Sequence, residues 1–216
     1  GDLVIRGFAG WPRRPLRPLN PGNAGAVLRL LLGTACLVDG EVTFLTEHKE
    51  SLGRRPNEDL LAALRQLGAE AEGEGAAGTL PIRIAGGPAR VRGGAVRVNG
   101  RSSSQFLSSL LYLTPFLEGD SAITLAEPEP GADPAAPRLV SRPLIDQTLD
   151  ALGQFGIALG ADFDQLIFSV PGGQLARPVD LHVNGDWPSA AALMAAVAVA
   201  GGMATLYGLA RDAQGE

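Results

Sequence analysis

The sequence predicts an α/β fold made of pseudo-symmetric repeats of a βαβαββ-type unit, with apolar helices inside and sheets outside. Three observations carry this. Two kinds of helix alternate along the chain, one apolar throughout and one opened by Arg-Pro. Both kinds return about 85 residues further on, well above ordinary solenoid periods. Short strand candidates bounded by Gly and Pro fill the spaces between them.

The apolar helices come first. Gly22-Asn23-Ala24-Gly25 opens a run to Val38, Asn99-Gly100-Arg101-Ser102 opens one to Leu117, and Asn184-Gly185-Asp186-Trp187-Pro188-Ser189 opens one over 190–200. Helices apolar on nearly every side belong in an interior. The second kind runs from Arg55-Pro56 to Gly68 and from Arg142-Pro143 to Gly156. Ala63, Leu64, Gln66 and Gly68 match Ala151, Leu152, Gln154 and Gly156 in register. Proline suits a first helical turn, and glycine suits the residue past the last. Strands are expected over 3–6, 42–46, 82–85, 95–98, 123–126, 166–170, 181–183 and 205–207. The Pro- and Gly-rich stretch 127–138 is expected to be a surface loop.

Composition narrows the function. A net charge of -5 over 216 residues argues against a general nucleic-acid surface. The longest apolar run, 190–202, is too short and too rich in Ala and Gly to span a membrane. The single cysteine, Cys36, has no partner for an internal disulfide, so a reducing, cytoplasmic compartment is expected. Lys49 is the only lysine, so nearly all basic charge is arginine, whose planar fork suits carboxylates and phosphates. Ser102-Ser103-Ser104-Gln105 stands at the start of a helix, where N–H groups are unpaired and the dipole is positive. Serines there can cap the helix or cradle a phosphate. If the inner helices gather their N-termini at one end, that end is a pocket for anions.

Several segments resemble the motifs of the EPSP synthase (3-phosphoshikimate 1-carboxyvinyltransferase) family. Gly22 to Arg29 resembles G-N-[AS]-G-T-x-x-R, and Ser51-Leu52-Gly53-Arg54-Arg55-Pro56 resembles S-L-R-x-R-P. Gly100 to Phe106 resembles G-x-x-S-S-Q-[FY], Ser141 to Asp146 resembles S-[KR]-P-Y-[IV]-D, and Asn184 to Ala190 resembles [EP]-G-D-x-S-S-A. The resemblance runs from about Gly22 to the C-terminus and implies the inside-out α/β barrel of the enolpyruvyl transferases. It implies transfer of the carboxyvinyl group of phosphoenolpyruvate to the 5-hydroxyl of shikimate 3-phosphate, by addition and then elimination of phosphate, with no metal or organic cofactor. A chain with only His48 and His182, no metal-ligand cluster and no Ser-His-Asp arrangement fits that.

The resemblance also implies roles. Ser103, Ser104 and Ser141 would hold the phosphate of shikimate 3-phosphate, and Gln105 would touch both substrates. Gly25 would present its N–H to the phosphate of phosphoenolpyruvate, Arg55 would pair with it, and Asn23 and Arg29 would support the loop. Asp59, Asp146 and Asp186 read as acids of helix starts rather than catalysts. Ala26, Gly53, Leu144 and Trp187-Pro188 depart from the motifs, which bears on affinity and on response to glyphosate, the family's phosphoenolpyruvate-competitive inhibitor. The family's N-terminal lysine-serine motif and the acids, lysine and arginines of its second domain have no match. Residues 1–216 are thus expected to be most of one domain, partnered by a second domain of the same enzyme and catalytically inert alone. Two alternatives share the ligand chemistry. One is an enolpyruvyl transferase acting on UDP-N-acetylglucosamine, though Cys36 lies outside the loop context of that enzyme's reactive cysteine. The other is a degenerate, non-catalytic binding domain.

Overall fold

A computed structural model describes residues 3–8, 11–126 and 138–209. The chain divides into two compact units, Gly1–Arg177 and Pro178–Glu216.

The first unit holds two copies of one design. In the first copy, α1 (Gly25–Ala35) leads to β1 (Gly40–Phe44), α2 (Glu58–Gln66), β2 (Glu70–Glu74) and β3 (Thr79–Gly86). β4 (Ala95–Val98) then leads into the second copy: α3 (Ser104–Leu113), β5 (Ser121–Leu125), α4 (Arg142–Gln154), β6 (Gly160–Asp162) and β7 (Ile167–Val170). The sheets are ordered β1-β3-β2 and β4-β5-β7-β6. In both, the last strand of the copy lies between the other two and pairs antiparallel with each. β4 pairs parallel with β5. Leu19 takes the equivalent place beside β1, in a parallel bridge to Phe44.

Local chemistry repeats as well. α2 and α4 both end on a left-handed glycine, Gly68 (φ 98°) and Gly156 (φ 77°). In each, the residue after it donates back into the last turn, Ala69 N to Leu64 O and Ile157 N to Leu152 O. The four matched identities are therefore the end of one helix design used twice.

Layering follows the expectation in this unit. α3 is buried on almost every side, through Phe106, Leu107, Leu110, Leu111 and Leu113, and packs along α1. Gly33 makes that approach possible: a Cβ there would lie 2.5 Å from Ser109 Oγ and 2.7 Å from Ser109 O. Strands β1, β3, β4 and β5 alternate buried and open residues, so one sheet face meets the core and the other meets water.

The second unit contains α5 (Trp187–Ala200). Asp186 caps it, accepting from Ser189 N at 2.9 Å, and Gly201 (φ 75°) ends it. The expectation of an interior helix is not met within this unit. Only Ala190 is buried, and Val199 is 90% exposed. Met194, Val197 and Ala198 of α5 line one cavity together with Ala204 and Leu206 of the same unit.

Other sequence expectations need correction. Residues 3–6, 181–183 and 205–207 are not strands, because a strand exists only with a ladder partner and none pairs with them among the described residues. β2 and β6 lie outside the eight expected strand ranges, although the βαβαββ unit calls for two strands after each Arg-Pro helix: Glu-Ala-Glu-Gly-Glu and Gly-Ala-Asp have poor strand propensity, and pairing with β3 and β7 makes them. Most of the expected loop, 127–137, lies outside the described residues. No helix among the described residues is long and apolar enough to cross a membrane.

Candidate functional site

Sequence alone lets three helix starts compete as anion sites, and their caps distinguish them. α3 is capped by Ser103, whose Oγ accepts from Gln105 N at 3.2 Å. α1 has no side-chain cap, since its N-cap is Ala24. Its first helical bond is Leu28 N to Ala24 O, which leaves the N–H groups of Gly25, Ala26 and Val27 pointing out of the helix start. The loop before it is fixed from outside: Asn20 Oδ1 accepts from Gly22 N (2.9 Å) and Thr46 Oγ1 donates to Gly22 O (2.6 Å). Asn23 Oδ1 accepts from Ser51 Oγ (2.8 Å), so Asn23 joins this loop to the Ser51–Arg55 segment rather than capping α1.

Arg55 stands over that helix start. A Cβ on Gly25 would lie 2.6 Å from Arg55 Nη1. Arg54, Arg65, Arg90, Arg92 and Arg142 pair with carboxylates; neither Arg55 nor Arg29 does among the described residues.

Arg29 links the elements. Its Nη1 donates to Ser103 Oγ (3.2 Å) and Gln105 Oε1 (3.0 Å), its Nε to Asn57 Oδ1 (3.3 Å) and its Nη2 to Pro56 O (3.1 Å). The guanidinium also lies 4.8 Å from the centre of the Phe106 ring. Burial, and then the positive charge of Arg55, holds its pKa below the usual arginine value. The Arg29 guanidinium, held by neutral acceptors, and that of Arg55, with no carboxylate partner among the described residues, leave positive charge unspent beside free N–H groups.

The serines differ in what they can still do. Ser103 Oγ accepts twice, so its proton remains to donate. Ser104 is buried in the first turn of α3. Ser102 Oγ donates to Asp59 Oδ2 at 2.5 Å, which ties the Ser102–Ser104 loop to α2. Ser141 precedes α4 in a left-handed conformation (φ 53°) with no capping bond, a sparse state for a non-glycine residue. Val140 N donates to Gly100 O at 3.1 Å, which brings this segment onto the Gly100 turn.

The structure therefore brings Gly25, Arg55, Arg29, Ser103 and Gln105 together, with Asn23 behind the loop. Ser104 adjoins them in the chain, and Ser141 is connected through the backbone alone. Asn57 belongs to the cluster and was missed, because an asparagine after Arg-Pro reads as a helix cap.

Residues 5–214 match the family model described as EPSP synthase (3-phosphoshikimate 1-carboxyvinyltransferase). The chain belongs to the EPSP synthase family. It is 42% identical over its whole length to the 3-phosphoshikimate 1-carboxyvinyltransferase of Deinococcus radiodurans and covers 45% of that protein. Against the enzyme of the same name from Methanothrix thermoacetophila it is 39% identical over 99% of the chain, covering 46% of the relative. The EPSP synthase structure from Acinetobacter baumannii superposes on 86% of the chain and 37% of its own, with a TM-score of 0.64 and 27% identity. The chain thus spans under half the length of these EPSP synthase relatives.

Proposed function

We propose that this chain forms most of one domain of an enzyme that transfers the carboxyvinyl group of phosphoenolpyruvate to shikimate 3-phosphate, and that it supplies the substrate-gripping part. The observation that supports the reading most is that Arg29 of α1 and Arg55, which stands over the uncapped start of that helix, have no carboxylate partner among the described residues. Such a place suits a phosphate.

In this reading Gly25 N–H and Arg55 hold the phosphate of phosphoenolpyruvate. The hydroxyls of Ser103, Ser104 and Ser141 hold that of shikimate 3-phosphate. Gln105 lies between them, oriented by Arg29. The 5-hydroxyl oxygen bonds to C2 of phosphoenolpyruvate as C3 gains a proton and the hydroxyl loses one. C3 then gives up a proton and the C2–O bond to phosphate breaks. These transfers need a positioned acid and base, which we assign to a second domain of the same enzyme. The chain alone is then inert.

A nucleotide-sugar acceptor with a reactive cysteine is disfavoured. Cys36 is fully buried, and burial pushes its thiol up to about 12, the state of an unreactive cysteine.

Calorimetric titration with shikimate 3-phosphate tests the reading. Binding weakened by Ser104→Ala, and much less by Arg55→Ala, is the expected result. A folded chain that binds neither substrate, even when the rest of the enzyme is present, would leave only a degenerate domain.

A further inference from the structure

Asn57 is fully buried and occupies the N-cap position of α2, where an asparagine side chain ordinarily takes up free helix N–H groups. It makes no capping bond. Its Oδ1 accepts from Arg29 Nε (3.3 Å), and its Nδ2 donates to Arg55 O (2.8 Å) and Gly78 O (3.2 Å). Only this orientation of the amide satisfies every partner, since a guanidinium donates only and a carbonyl accepts only. The cap is forgone, and one interior side chain touches both arginine residues of the site.

The neutrality of that side chain matters. A carboxylate in its place would hold Arg29 more tightly but would spend its charge. An aliphatic side chain would leave Nε unpaired beside a second cation. An amide holds the guanidinium and leaves its charge for a ligand. We propose that Asn57 is a positioning residue, which fixes Arg29 and the Arg55 backbone so that both cations face the phosphate of an enolpyruvate-type anion. This rests on the function proposed above.

The test compares the unaltered chain with Asn57→Asp, Asn57→Leu and Arg55→Ala, each checked for folding by circular dichroism. Each is titrated calorimetrically with phosphoenolpyruvate and, separately, with shikimate 3-phosphate. Both Asn57 variants are expected to weaken phosphoenolpyruvate binding about tenfold, and shikimate 3-phosphate binding at least threefold less than that. By NMR, the Arg29 Nε–H should exchange faster with solvent in Asn57→Leu and stay protected in Asn57→Asp. If Asn57→Leu does not fold, Asn57→Asp alone decides. Equal loss of both ligands, or unchanged phosphoenolpyruvate binding in Asn57→Asp, overturns the positioning role. If Arg55→Ala weakens phosphoenolpyruvate binding while the Asn57 variants do not, only the positioning role falls. If the unaltered chain does not bind phosphoenolpyruvate even when the titration is repeated with the rest of the enzyme present, or Arg55→Ala leaves its binding unchanged, the two-arginine reading fails and the positioning role falls with it.

Discussion

Gly25 shows how much one missing methyl group can govern. A Cβ there meets the far end of the Arg55 side chain, which can swing away without disturbing the backbone. Gly25→Ala should therefore leave the thermal midpoint nearly unchanged and weaken phosphoenolpyruvate binding on the order of tenfold, as thermal melts and calorimetry would show. Cys36 makes an opposite case, because its role is in stability. Its thiol is raised to about 12 from an ordinary 9.0 by burial, so the folded chain keeps a proton that the unfolded chain releases. The contribution is complete below about pH 9 and is lost as pH rises towards 12. Urea titrations across that range should show stability falling by up to a few kcal/mol, with Cys36→Ala removing this part of the pH dependence. The sequence made Gly25, Arg29, Arg55, Ser103 and Gln105 legible through their motifs. Asn57 was not legible, because its burial depends on Gly78 and its purpose on Arg29, neither of them a neighbour in the chain.

Helices were easier to read than strands for a physical reason. A helix satisfies its backbone locally, whereas a strand takes its hydrogen bonds from elsewhere. β2 has a poor strand composition and forms because β3 is beside it, while the more suitable residues 3–6 find no partner among the described residues. The α1–α3 contact is the element-scale feature most open to test. Ser109 Oγ donates to Arg29 O (2.7 Å) and accepts from Gly33 N (3.2 Å), joining α3 to the ladder of α1 beside the site. Gly33→Ala must push Ser109 Oγ and its backbone oxygen aside, and overpacking of this kind costs about 1–3 kcal/mol. Urea denaturation should show that loss together with weaker ligand binding. A variant that keeps full stability would show that the two helices can separate freely.

Across the whole chain, the repeat explains why so much architecture could be read from so few identities. Four matched residues at the ends of α2 and α4 mark two copies of a helix-and-sheet design, and Leu19 and β4 occupy equivalent places in their sheets. Within its own unit α5 stays largely open, because an apolar helix states its need for cover but does not name what supplies it. The chain spans under half the length of its relatives, and on the function proposed here it should form no product from the two substrates. A phosphate-release assay should stay at background for the chain alone and rise when the remainder of the enzyme is supplied. Turnover by the chain alone would place the acid and base within it.

Two arginines that no carboxylate answers among the described residues also have consequences at the bench. Sulfate or phosphate in a buffer is itself a tetrahedral oxyanion, and it will occupy such a place in competition with any enolpyruvate. Affinities measured in phosphate-buffered saline and in a chloride buffer of equal ionic strength will then differ, and that difference measures how strongly the site prefers oxyanions over general screening.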